Sequence, residues 1–270
     1  MDVTREEQVA FLNKALLAEM PRYQGQAAAF GPAPAQQRRL LRSLMNLRPP
    51  LPLQPEFLAV QDALLQAELA EKGVVDGRAL PGTAADTRLA LWRGDITRLG
   101  ADAIVNAANS ALLGCFVPCH GCIDNAIHSA AGLQLRDACA RLMDAQGREE
   151  PVGGAKLTPA YNLPSRFVLH TVGPRVNGVL TQRHRQQLAG CYRACLALAA
   201  RAGLESVAFC CISTGEFRFP PAEAAPIAVD TVMGFLAGEK RVKKVIFNVF
   251  RDEDARLYRA LLGLDRTAAG

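Results

Sequence analysis

Residues 86–270 of this 270-residue chain predict a layered α/β domain, and residues 1–85 predict a helical extension docked on it. Three observations carry that expectation. Short apolar runs alternate with helix-like stretches from about residue 86 onward, the pattern of strands covered by helices. The runs Phe167-Val168-Leu169 and Val207-Ala208-Phe209-Cys210-Cys211-Ile212 lack polar alternation, so both faces should be covered, as in a largely parallel sheet. Asn106, Thr171-Val172-Gly173 and Ser213-Thr214-Gly215 each fall at a strand end, where open α/β sheets bind ligands.

The extension reads as helices throughout. Thr4-x-x-Glu7 is a capping-box signal, followed by Val9, Leu12, Leu16 and Met20 at helical spacing. A second helix carries Leu40, Leu41, Leu44 and Leu47 and stops at Pro49-Pro50, and a third spans 56–72 with Phe57, Leu64, Leu65 and Leu69 inward. Gly31-Pro32-Ala33-Pro34 and residues 73–83 are the joints. These apolar faces are too few for a comfortable core of their own. In the second region strands are expected at 89–92, 103–106, 167–172, 207–212 and 245–250, and helices at 124–145, 184–203, 221–238 and 252–262.

Half the residues are apolar and about a fifth are charged, as in a soluble globular protein. The net charge of +5 is spread without a run of five or six basic residues or interleaved aromatics. Nucleic acid is therefore not an expected partner, whereas a phosphate-bearing small molecule suits a modest positive field. Residues 1–8 are acidic and polar with no apolar signal region, and no segment approaches a membrane span. Eight cysteines without secretory signs argue against a disulfide framework, so a reducing cytoplasm is expected. Cys191, Cys195, Cys210 and Cys211 read as small buried hydrophobes.

The chemistry concentrates in Cys115-x4-His120-x-Cys122. Thiolate and imidazole are the ligands zinc prefers, and three protein ligands leave a tetrahedral ion one open position, as in catalytic sites. Cys119 is a weak fourth candidate because adjacent side chains diverge. Thiols without metal and a purely structural zinc are the alternatives. Asp124 and Asn109 lie close enough to share the site, while His128, one turn after Asp124, reads as a packing residue. The loop Ser213-Thr214-Gly215-Glu216-Phe217 can cradle a diphosphate on its amides, though it is neither a Walker loop nor a Rossmann fingerprint. Phe217 or Phe219 either covers a sugar or packs the loop. Asp95 either accepts from an exocyclic amine or caps a helix, and Asn106 and Asn109 suit ribose hydroxyls or Asx turns.

Taken in order, Gly94-Asp95-Ile96-Thr97, Asp102-Ala103-Ile104-Val105-Asn106-Ala107-Ala108-Asn109 and Ile123-Asp124-Asn125-Ala126-Ile127-His128 resemble the signature of a macrodomain. So do the stretch from Ala155 to Pro164, Leu169-His170-Thr171-Val172-Gly173-Pro174 and Ile212-Ser213-Thr214-Gly215. The resemblance implies an α/β/α sandwich on a mixed sheet that binds ADP-ribose. Where most macrodomains carry a run of glycines, this chain has Cys115 to Cys122, and Asn125 replaces a glycine. That is similar to the zinc-dependent microbial subclass, which has a helical N-terminal extension and acts as protein-ADP-ribose hydrolases. In some microbes these are encoded beside a sirtuin-type ADP-ribosyltransferase and a lipoate-carrier protein.

The resemblance implies one zinc per chain on Cys115, His120 and Cys122. It places Asp95, with Ile96 beside it, on the adenine, Asn106 and Asn109 on the distal ribose, and Ser213, Thr214, Gly215, Glu216 and Phe217 on the diphosphate and ribose. Phe250 is placed loosely near adenine. The expected reaction is release of mono-ADP-ribose from acidic side chains, with Asn109 and Asp124 as catalytic residues and zinc polarising a ribose oxygen or activating water. A non-catalytic reader of ADP-ribose with a structural zinc is the alternative.

Overall fold

The structure, a computed structural model, describes residues 3–265. The extension opens with α1 (Arg5–Glu19), whose Thr4 hydroxyl accepts from the Glu7 amide while the Glu7 carboxylate accepts from the Thr4 amide. This is the capping box expected from the sequence. A 3-10 turn (Pro21–Tyr23) and the single turn α2 (Gln24–Ala27) lead to α3 (Pro34–Leu47) and α4 (Pro55–Lys72). Both begin with proline in the first turn, where the missing N–H has no helical partner to lose.

The remainder alternates as expected. In order come β1 (Val75–Asp76), β2 (Leu89–Arg93), β3 (Leu99–Gly100), β4 (Ala103–Ala108), α5 (Ile123–Ala131), α6 (Leu133–Gln146), β5 (Ala155–Pro159) and β6 (Phe167–Val172). The chain continues through α7 (Gln182–Arg201), β7 (Ser206–Phe209), α8 (Pro221–Gly238), β8 (Lys244–Val249) and α9 (Asp252–Leu261). The main sheet has the order β2-β8-β7-β4-β6-β5. Its ladders are parallel except for β5, which runs antiparallel to β6 with Leu157 opposite Leu169. The sheet is therefore mixed. Strands β4, β6, β7 and β8 are buried almost throughout, because helices cover both faces, and this explains their unbroken apolar runs.

Three boundaries depart from expectation. The helix expected at 124–145 is two, α5 and α6, because Gly132 adopts φ +94° between them. A Cβ there would lie 2.5 Å from the Gln134 side chain and 2.6 Å from that of Gln61, so the close approach of α4 also demands glycine. Strand β7 stops at Phe209, three residues early, as the chain turns into the loop holding Ser213 at φ +67°. Strand β5 was not expected. It is a half-buried edge strand ending in proline, which blunts its signal.

The extension has a second hydrophobic cluster, built by Leu12, Leu16, Leu41, Leu44, Phe57 and Leu64 among others and completed by Leu133 of α6. Its junction with the sheet domain is polar and closely satisfied. The Arg136 guanidinium on α6 donates to the carbonyls of Met45 and Arg48 at the carboxyl end of α3, where a cation is favoured, and to Leu113 at 2.7 Å. Gln61 joins Gln134 at 2.7 Å and accepts from the Leu133 amide at 3.0 Å. The joint at 73–83 is itself packed: Val75 pairs with Leu99, and the Gly77 amide donates to Gly100.

Candidate active site

Strand β4 delivers Asn106 and Asn109 to the carboxyl end of the sheet, and α5 points its first turn at them. Asp124 sits in that turn, where the helix dipole favours a carboxylate. The Asn106 amide donates to Asp124 Oδ1 at 2.8 Å, and Asn109 Nδ2 lies 3.5 Å from Asp124 Oδ2. Burial pushes the Asp124 carboxyl up to about 6, against the opposing pull of the Asn106 amide and the Arg136 charge. Asn106 is 0% exposed. In the structure Asn106 holds the carboxylate. Asn109 is half-buried and open toward the cleft, and its Oδ1 also accepts from the Ala111 amide in an Asx turn.

Beneath this pair lies a polar thread that sequence reasoning missed. His170, fully buried on β6, faces Asn106 through Nδ1 at 3.3 Å and the Thr158 hydroxyl through Nε2 at 2.9 Å. Burial pushes the His170 imidazole down to about 4, so it is neutral. The buried ring of His128 brings Nε2 to 3.5 Å from Asp124 Oδ1. His128, Cys139 and His170 form a compact Cys/His group, but it is sealed in the core.

The metal-type ligands converge elsewhere. The ligand atoms of Cys115, His120 and Cys122 all lie within 4.8 Å of one another, on a half-exposed loop between β4 and α5. Cys115 Sγ faces His120 Nδ1 at 3.6 Å. Cys122 caps α5, its sulfur accepting from the Asn125 amide at 3.4 Å, and burial pushes its thiol up. Two sulfurs and one imidazole at this separation fit a tetrahedral soft cation with one position open. Cys119 takes no part. Its sulfur turns the other way, 3.3 Å from the Ser43 hydroxyl on α3.

The facing wall is the loop after β7. Ser213 adopts φ +67° and packs against Gly173, where a Cβ would come 2.0 Å from the Ser213 hydroxyl oxygen. Thr214 turns its hydroxyl to the Cys211 carbonyl at 3.1 Å. Among the described residues the amides of Gly215, Glu216 and Phe217 have no partner within the protein, which leaves a row of donors suited to phosphate oxygens. The Arg175 guanidinium lies 4.6 Å from the Phe217 ring centroid, a residue the motifs did not mark. Phe219 is buried and packs the loop. Glu216 reaches across: its Oε1 is 3.6 Å from His120 Nε2, so the two loops face each other over one cleft.

Asp95 realises the capping alternative, with Oδ1 accepting from the Thr97 amide at 3.0 Å and its hydroxyl at 2.7 Å. Its other oxygen has no partner among the described residues. Ile96 is 1% exposed, whereas Phe250 is 74% exposed. No sequence signal pointed to Arg42 and Asn46, because they approach the Cys115–Cys122 loop from α3, more than seventy residues away.

The Macro domain family matches residues 105–228. A Treponema medium protein named Protein-ADP-ribose hydrolase is 49% identical over 263 residues, 96% of this chain and 100% of that protein. A Staphylococcus aureus protein of the same name is 50% identical over 84% of this chain and 85% of its own length. Among solved structures, the Trypanosoma brucei macrodomain in complex with ADP-ribose superimposes with a TM-score of 0.65 at 32% identity, covering 82% of this chain and 95% of that one. With the fold, the ordered motifs and near-complete coverage in agreement, this chain belongs to the macrodomain family.

Proposed function

We propose that this protein is a hydrolase that removes mono-ADP-ribose from acidic side chains of modified proteins. The observation that carries the reading is the meeting of two loops over one cleft, with His120 of the Cys/His/Cys group 3.6 Å from Glu216 of the free-amide loop. The names of the Treponema and Staphylococcus relatives support the reaction, and the Trypanosoma complex supports the ligand.

In this reading the Gly215, Glu216 and Phe217 amides bind the diphosphate, and Thr214 and Ser213 shape the turn. The free oxygen of Asp95 accepts from the adenine amine, the Ile96 backbone lies beside it, and the exposed Phe250 flanks the base. Phe217, backed by Arg175, covers the proximal sugar. Asn109 orients the distal ribose. Asp124, held by Asn106, orients water or takes its proton as the ester is cleaved to ADP-ribose and a free carboxylate. A zinc ion held by Cys115, His120 and Cys122 would supply positive charge beside the distal ribose. A carboxylate leaving group needs no strong acid, which suits a site poor in proton donors.

All eight cysteines are free, in keeping with a reducing compartment, and the cytoplasm is the proposed location. Among the described residues no helix is long and apolar enough to cross a membrane. A lipoate-carrier protein modified by a sirtuin-type transferase is the proposed partner. The test is to offer that protein ADP-ribosylated on acidic residues alongside serine- and arginine-linked substrates. Release from the acidic linkage alone is expected. Tight ADP-ribose binding with no release from any linkage would make the protein a reader instead.

A further inference from the structure

The loop that carries the three ligands is held from outside the sheet domain. Val117-Pro118-Cys119-His120 forms a turn closed by the His120 amide on the Val117 carbonyl at 3.2 Å. Cys119, at its third position, adopts φ +51°, a conformation that turns of this kind normally reserve for glycine or asparagine. Such backbone persists only where its surroundings enforce it. Here they belong to α3. Asn46 Oδ1 accepts from the Cys119 amide at 2.9 Å, and the Cys119 sulfur reaches Ser43 Oγ at 3.3 Å and the Arg39 carbonyl at 3.6 Å.

Arg42 completes the hold. It donates to Asn125 Oδ1 at 2.8 Å and lies 3.4 Å from the carbonyl of the ligand His120. Asn125 in turn donates to the Val117 carbonyl at 3.0 Å, inside the same loop. Asn46 also donates to Ser129 on α5 at 3.0 Å, so α3 fixes the loop and the helix that follows it as one unit.

We propose that α3 of the N-terminal extension is a built-in part of the metal centre, with Arg42 and Asn46 as positioning residues that preset the 115–122 loop for ligand convergence. This rests on the reading of Cys115, His120 and Cys122 as a zinc site. Neither residue touches the ligand atoms. Each acts through the backbone that aims them, which gives the extension a role beyond stabilising the sheet. Outer partners of this kind set metal affinity by orienting the ligands.

The test is the zinc affinity of the full chain, measured by competition with a chromophoric chelator, with thermal unfolding followed on the same samples. Asn46→Ala and Arg42→Ala should each weaken zinc binding by about 10- to 100-fold. Asn46→Asp keeps the acceptor for the Cys119 amide but loses the donor to Ser129 and buries a charge, so it should fall between wild type and Asn46→Ala. Glycine adopts positive φ without strain, so in a Cys119→Gly background Asn46→Ala should cost less than in the native chain. Leu236→Ala, which loosens the sheet domain's core at the end of α8 leading into β8, should leave the affinity unchanged. Wild-type zinc binding with unaltered affinity in Asn46→Ala and Arg42→Ala overturns the proposal alone, as does equal weakening in Leu236→Ala. Absence of zinc binding by the wild type overturns the metal reading and the proposal with it.

Discussion

Asn106 and Asn109 look interchangeable in the sequence, two amides bracketing a pair of alanines, yet the fold gives them different work. Neither motif nor charge separates them; burial does. Asn106 is 0% exposed and braces Asp124, whereas Asn109 is half-buried at the cleft. Asp124→Ala should therefore lower turnover by about 10²- to 10⁴-fold, the usual contribution of a positioned acid or base. Asn106→Ala should lower kcat with little change in KM, and Asn109→Ala should change both. Steady-state release kinetics check this, and a KM effect confined to Asn106→Ala would reverse the assignment. The convergence of Cys115, His120 and Cys122 was legible because their chemistry is local. The part played by His170 and Thr158 was not, since a buried imidazole has no signature until the strands are paired.

At the scale of elements, periodicity located α1, α3, α4, α8 and α9 closely, because each buries one apolar face. It failed where tertiary contacts decide: at Gly132, which divides α5 from α6 under pressure from Gln61, and at the edge strand β5. The loop after β7 stood out in the sequence, but its dependence on a neighbouring element did not. Gly173 lies so close that an added Cβ would come 2.0 Å from Ser213 Oγ and 2.8 Å from Ile212 Cγ2. Gly173→Ala should strain that loop by about 1–3 kcal/mol, so ADP-ribose binding measured by calorimetry should weaken by about tenfold or more. Zinc content should be unaffected, because the metal loop lies on the other wall. Unchanged ADP-ribose affinity would remove the 213–217 loop from the diphosphate site.

For the whole molecule, the sheet is clasped at one end by Asp102. Its buried carboxylate accepts from the Glu205 amide at 2.9 Å, the Ser206 amide at 3.0 Å and the Ser206 hydroxyl at 3.1 Å, and it pairs with Arg78 and Arg166. Burial alone would raise its pKa, but the Glu205 and Ser206 hydrogen bonds and the Arg78 charge outweigh it and hold the carboxyl below its ordinary value. A depressed folded-state pKa stabilises above the unfolded value of about 3.9 and is lost as pH falls through the folded one. Acid unfolding below about pH 4 should thus lose part of its steepness in Asp102→Asn. The same variant should be about 1–3 kcal/mol less stable at neutral pH, because donors aimed at a carboxylate are left poorly matched. Denaturant titrations across pH check both.

The overall architecture was legible from alternation and ordered motifs, but the grip of the extension on the 115–122 loop was not, because it exists only after both parts have folded. The central claim, that the two facing loops form a zinc-assisted hydrolytic site, is tested most directly by one time course. ADP-ribose release from an acidic-side-chain-modified protein would be followed for zinc-loaded, chelator-stripped and zinc-restored samples of the same preparation. Release that disappears on stripping and returns with about one zinc per chain is the predicted result. Full release by folded, metal-free protein would contradict it.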